Sequence, residues 1–176
     1  TWFEAFSHSF STVSIGGFSI YSENFGYFDN AIIEFVAVFF MLISATNFGL
    51  HFLSFTKRSF RYYFLNDELK LFLLTVIAVV LVSMLTLYIK EGFSISDSMR
   101  YGFFQTISIV TTTGFTLEPL SALGGSVGFL IFIVAFMGAC SGSVGGGMKV
   151  WRILLLFKVG VSNITKIMHP LSLIHI

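Results

Sequence analysis

Phe6-Ser7-His8-Ser9-Phe10-Ser11-Thr12-Val13-Ser14-Ile15-Gly16-Gly17-Phe18-Ser19 returns in register, 97 positions later, as Phe103-Phe104-Gln105-Thr106-Ile107-Ser108-Ile109-Val110-Thr111-Thr112-Thr113-Gly114-Phe115-Thr116. Phe6, Ser11, Val13, Gly17 and Phe18 recur unchanged, and Ser9, Ser14 and Ser19 are matched by Thr. Each copy reads as a short helix, a hydroxyl-rich turn with one permissive glycine, and then a long apolar run. A re-entrant ion-selectivity loop is written in that order. A single Thr-Thr-Thr-Gly-Phe turn is a weak signal; the strength lies in two copies in the same setting, against the alternative of two coincidental polar turns.

The composition fits that setting. Apolar residues make up 55% of the 176, charged residues 11%, and the mean hydropathy is +0.87, leaving too few charges to solvate a globular surface. Residues 71–89 carry no charge, which meets the roughly 20 residues needed to cross about 30 Å of hydrocarbon. Residues 120–139 form a second uncharged run, and 31–55 a third, interrupted only by Glu34, Asn47 and His51. The expected class is an all-α integral membrane protein. The opening Thr1-Trp2-Phe3-Glu4 lacks the pattern of a signal peptide and starts inside a patterned segment, so a piece of a longer protein is expected. The lone Cys140 cannot form an internal disulfide.

Charge sets the expected orientation. Lys57, Arg58, Arg61, Lys70, Lys149, Arg152, Lys158 and Lys166 would share one side, against Lys90 and Arg100 on the other. The positive-inside bias then places the two turns outside. Glu23, Asp29, Glu91, Asp97 and Glu118 on the outer segments would concentrate cations there, or are ordinary solvated loop charges. Trp2, Tyr21, Tyr27, Tyr88 and Tyr101 fall near the expected interfaces. The organisation read from this is a pore helix, filter and second span over 1–56, lacking its first span. A cytoplasmic linker over 57–68, a complete span–pore-loop–span repeat over 69–168 and a tail over 169–176 follow.

A cation entering a membrane exchanges hydration water for fixed oxygens, which backbone carbonyls supply where the chain leaves helical geometry. The candidate filter residues are Val13, Ser14, Ile15, Gly16 and Gly17 in one copy and Val110, Thr111, Thr112, Thr113 and Gly114 in the other. Glycine permits dihedrals that are costly with a Cβ. Ser14 and the three threonines add hydroxyl oxygens and walls for an extended backbone. The helices before the turns, about 3–11 and 97–109, are too short to span; entering from outside, they would aim negative C-terminal dipole ends at the midplane.

Further on, Gly138-Ala139-Cys140-Ser141-Gly142-Ser143-Val144-Gly145-Gly146-Gly147 precedes Met148-Lys149-Val150-Trp151-Arg152. Glycines that cost about 1 kcal/mol each relative to Ala should break the helix and leave flexible backbone beneath the filter, a candidate gating loop. A small-residue surface for close helix packing is the other reading, and the two are compatible.

At these residues the chain resembles the Trk/Ktr/HKT superfamily of potassium transporters, most closely the membrane subunit of bacterial Trk-type uptake systems. Tyr27-Phe28-Asp29-Asn30 adds to the turns and the glycine run in carrying the likeness. The resemblance implies potassium-channel-like architecture: four span–pore-loop–span repeats in one chain around one pore. Gly17 would be the second repeat's filter glycine and Gly114 the third's, with the first and fourth repeats missing. It also implies a multi-pass protein of the bacterial inner membrane, a homodimer, a cytosolic nucleotide-binding regulatory subunit, and potassium as transported substrate held by filter carbonyls. No cofactor, catalytic residue or nucleic-acid partner is expected. Ile15 stands where the family often has Thr, and residues 171–176 do not resemble its continuation.

Two alternatives remain. Sodium, or sodium-coupled potassium, transport uses the same fold, although Gly at both visible filter positions leans towards potassium. An intramembrane hydrolase could use Ser141 or Cys140 with His8, His51, His169 or His175 as base, but none of these shares a local motif with Ser141. His51, four residues after Asn47, reads as an interhelical contact, and His8 as a brace for the filter.

Overall fold

The computed structural model describes residues 1–119 and 124–168. Among these residues there are helices and no strands. The helices are α1 (Trp2–Val13), α2 (Ala31–Ser44), α3 (Phe48–Thr56), α4 (Arg61–Leu65), α5 (Asp67–Lys90), α6 (Ile95–Val110), α7 (Gly125–Ala135) and α8 (Val150–Met168), with a 3-10 turn at Asn24–Phe28.

Local chemistry starts most of them. Thr1 and Glu4 form a capping box on α1. Asn30, Asn66 and Ser94 accept hydrogen bonds from the first-turn N–H groups of α2, α5 and α6. In α5, Asp67 and Glu68 in the first turn and Lys90 in the last also oppose the helix dipole.

Among the described residues only α5 is long and apolar enough by itself to cross a bilayer; its 24 residues run about 36 Å. Phe72, Val76, Val80, Ser83 and Leu87 make its buried face. Its opposite face, with Leu74, Ile77, Leu81, Leu85 and Ile89, is exposed and just as apolar, the pattern of a helix with no aqueous side. α6 lies along α5 and contacts α2, and Phe72, Phe104, Ile107, Val110 and Phe115 fill the core between them.

The other two apolar runs are each interrupted, the second where its glycines are expected to break the helix. Residues 31–55 are not one helix: α2 and α3 meet at 89° across Ala45, Thr46 and Asn47. The Asn47 side chain accepts from the Gly49 N–H at 2.8 Å, so it starts α3 rather than continuing α2. In the run 120–139, residues 120–123 lie outside the description and α7 has 11 residues, about 16 Å. From Gly138 to Gly147 the chain is irregular. The expected linker over 57–68 contains α4, and α5 already begins at Asp67. The tail 169–176 lies outside the described residues.

The two halves are tied at one end. Arg100 of α6 donates from Nε to both Glu34 carboxylate oxygens, at 3.1 and 2.9 Å, and from Nη2 to Asp29 at 2.8 Å. Glu34 is buried, whereas Asp29, bonded to the same Arg100, keeps a side chain 81% exposed. The Thr116 carbonyl accepts from the Phe25 and Gly26 N–H groups, both at 3.1 Å.

Candidate functional site

The two sequence copies end their helices with one backbone motif. After α1, the Ile15 N–H donates to the Thr12 carbonyl at 3.2 Å and the Gly16 N–H to the Ser11 carbonyl at 2.8 Å. After α6, the Thr112 N–H donates to the Ile109 carbonyl at 2.9 Å and the Thr113 N–H to the Ser108 carbonyl at 2.8 Å. This paired pattern is a Schellman C-cap, whose left-handed position is usually glycine. Here it is filled by β-branched residues, Ile15 at φ 53° and Thr112 at φ 66°. A non-glycine residue held in that region costs on the order of 1–3 kcal/mol and persists only where its surroundings enforce it. Gly17 and Gly114 follow, with φ 67° and 89°. Val13 and Val110 belong to the helices, so the irregular backbone begins after them.

The turns abut. A Cβ built on Gly17 would lie 2.0 Å from the Thr113 carbonyl oxygen. Nothing lies within 4 Å of the corresponding point on Gly114.

The threonine hydroxyls differ from expectation. Thr111 Oγ1 bonds the Ile107 carbonyl at 2.8 Å and Thr113 Oγ1 at 2.8 Å, with both residues buried. These two hydroxyls close on the turn itself. Thr112 Oγ1 instead accepts from the Gly146 N–H at 2.7 Å. Ser14 Oγ reaches back to the Ser11 carbonyl at 3.4 Å.

His8 is buried, with Nδ1 2.8 Å from the Glu4 carbonyl and Nε2 2.9 Å from Ser19 Oγ, so it holds the segment leaving its turn. Its counterpart, Gln105, was not singled out from sequence. Fully buried, Gln105 donates from Nε2 to the Glu118 carbonyl at 3.1 Å and accepts from the Leu117 N–H at 3.2 Å. The signal was the register itself, since Gln105 stands 97 positions after His8.

The glycine segment forms a closed loop. Its neck is where Gly138 and Gly147 meet: a Cβ on Gly147 would lie 2.6 Å from the Gly138 Cα. The Met148 N–H donates to the Phe136 carbonyl at 3.1 Å and the Val150 N–H to the Ala139 carbonyl at 3.3 Å. On one flank the loop docks into the α2–α3 break: Cys140 N–H to Ala45 carbonyl at 3.0 Å, Phe48 N–H to Gly142 carbonyl at 3.0 Å, Val144 N–H to Ser44 carbonyl at 3.3 Å. The Ser141 N–H donates to the buried Glu68 carboxylate, and the Lys149 ammonium to the Gly145 carbonyl. Ser143 Oγ bonds the Cys140 carbonyl at 2.6 Å. On the other flank, Gly145 and Gly146 lie against Thr111 and Thr112. Glu68 had no sequence signal beyond its place beside the basic linker.

The hydrolase alternative finds no support here. Both nitrogens of His8 are engaged, and His51 bonds Tyr63 Oη at 2.7 Å and the Ile43 carbonyl at 2.9 Å. His51 therefore contacts Tyr63 and not the Asn47 side chain, while His169 and His175 lie outside the described residues. Cys140 is buried. Among the described residues no group of three metal-ligating side chains gathers.

Comparison with known proteins gives one answer at each level. Residues 1–175 match the family TrkH, described as cation transport protein. A Trk system potassium uptake protein of Halomonas elongata is 40% identical over 173 residues, 98% of this chain and 36% of that protein. The one from Escherichia coli K12 is 38% identical over 169 residues, 96% of this chain and 35% of its own length. The crystal structure of the potassium transporter TrkH from Vibrio parahaemolyticus superposes with a TM-score of 0.92 at 40% identity, covering all of this chain and 38% of that one. The chain thus spans little more than a third of the relatives it matches.

Proposed function

This chain belongs to the TrkH family of cation transport proteins, and from that premise we propose that the whole protein takes up potassium through a pore to which this chain contributes two of four selectivity strands. The observation that carries it is the pair of αL turns with one hydrogen-bond pattern, packed backbone to backbone after two short helices. Irregular backbone of this kind is tolerated at membrane depth only when buried in protein or lining a watery cavity. Carbonyls of residues 13–17 and 110–114 replace the ion's hydration shell, and the C-terminal ends of α1 and α6 add negative dipole. With Thr111 and Thr113 hydroxyls turned inward, main-chain oxygen is the ligand.

In this reading residues 1–56 are the pore helix, filter and bent second span of one repeat. Residues 57–68 are a cytoplasmic linker that runs into the first turn of α5, and 69–168 are a full repeat whose second span is broken by the gating loop 138–147. The turns face outside and the protein crosses the bacterial inner membrane several times. It works as a homodimer over a nucleotide-binding regulatory subunit, moving its ion down the electrochemical gradient without covalent chemistry. Sodium, or sodium-coupled potassium, transport is the second reading, favoured only if an unseen strand carries Ser at its filter position.

The test is potassium-limited growth of a transport-deficient bacterium carrying the complete gene. Gly114→Ser is expected to lower the preference for potassium over sodium. Full rescue with that preference unchanged would remove the filter assignment.

A further inference from the structure

Resting on that assignment, we propose that Thr112 is a positioning residue coupling the filter turn to the gate: its hydroxyl holds the glycine loop against the turn. Of the three consecutive threonines, 111 and 113 spend their hydroxyls on the turn itself. Thr112 alone reaches another element, accepting from the Gly146 N–H at 2.7 Å. The contact is backed by shape, because a Cβ on Gly145 would lie 3.0 Å from the Thr111 carbonyl oxygen. The loop's other side-chain partners do not reach the turn: Glu68 binds Ser141 from α5, and Lys149 binds Gly145 from within the same segment.

The two repeats supply an internal control. Ile15 and Thr112 occupy the same left-handed position, φ 53° and 66°, so the hydroxyl is not needed to form the turn. In the first repeat the corresponding break docks on residues 140–144 and sends nothing to its own turn, and there the position is Ile. The hydroxyl is present where the glycine loop needs an acceptor and absent where no loop reaches.

Thr112→Val keeps the β-branched shape and removes the acceptor, freeing a loop that blocks the path. A net hydrogen bond corresponds to roughly a five-fold change in such an equilibrium. The complete protein in proteoliposomes should then show resting potassium flux raised about five-fold. Amide exchange in the 140–149 peptide should quicken, and Thr112→Ser should return both towards wild type. If the valine protein does not reach the membrane, Thr112→Ala, which relaxes the crowded left-handed residue, takes its place. Unchanged flux and exchange would overturn the coupling. So would a changed ion preference at unchanged flux, because Thr112 would then act within the filter alone. Gly114→Ser reports separately: an unaltered ion preference there removes the filter reading while leaving the flux and exchange results interpretable.

Discussion

Gly17 and Gly114 are equivalent by register and by positive φ, yet alanine should affect them very differently. At Gly17 the new Cβ would stand 2.0 Å from the Thr113 carbonyl oxygen and 2.9 Å from its carbon. Comfortable carbon–oxygen contacts begin near 3.3 Å, so one turn must retreat by about 1 Å. Both partners are backbone, and neither can swing aside. Left-handed φ for an L-residue costs about 1–2 kcal/mol, and overpacking adds about 1–3 kcal/mol, giving roughly 2–5 kcal/mol in all. At Gly114 the Cβ meets nothing within 4 Å, so only the backbone cost of about 1–2 kcal/mol applies. The assay is thermal melting of the complete protein in detergent, read as loss of the monodisperse peak. With an unfolding entropy of about 2.1 cal/mol/K per residue over a chain nearly three times this length, each kcal/mol is worth roughly 1 °C, so Gly17→Ala should melt about 2–5 °C low and Gly114→Ala about 1–2 °C low. Equal losses, or a larger loss at Gly114, would mean the turns do not abut as described.

Arg100→Gln leaves the buried Glu34 carboxylate without its cation and should destabilise by about 3–5 kcal/mol, with Glu34→Gln in the same chain recovering part of the loss in the same melting assay. Gln105→Leu strands the Leu117 N–H and the Glu118 carbonyl, at about 1–3 kcal/mol for each group left unpaired. It should lower the potassium-over-sodium ratio measured by flux. Gln105→His, the residue of the first repeat, should recover part of that ratio.

What sequence conveyed, and what it withheld, follows from the range of the forces. The register of 97 was legible because equivalent turns need equivalent residues, and glycine at 17 and 114 announced positive φ directly. Positive φ at Ile15 and Thr112 was not legible: β-branched residues are poor choices there, and only the surrounding hydrogen bonds impose it. The glycine run foretold a break because its cost is local. The break at Ala45, Thr46 and Asn47 contains neither Gly nor Pro and sits in an apolar run, so nothing local ends the helix except the capping amide of Asn47. The backbone partners of that break come from a segment nearly a hundred residues away. Hydroxyl roles were hidden for a related reason, since three adjacent threonines look alike until the turn decides which can reach another element.

The two breaks are best understood as one structure. Carried forward by the repeat, Ala45 falls on Gly142 and Asn47 on Val144, within the stretch that docks there. Ser44, Ala45 and Phe48 give that stretch the partners its backbone would otherwise lack, and they receive theirs from it. At the proposed membrane depth an unpaired backbone group would cost several kcal/mol, so each break supports the other. On the proposed gate this constrains the motion. Residues 140–144 cannot withdraw without breaking their bonds to Ser44, Ala45 and Phe48 and that of the Ser141 N–H to Glu68. Residues 145–147 are held differently, by the Thr112 hydroxyl, the Lys149 ammonium and the glycine neck. If the segment gates as proposed, the smaller opening movement is expected of the three consecutive glycines, with 140–144 as their anchor.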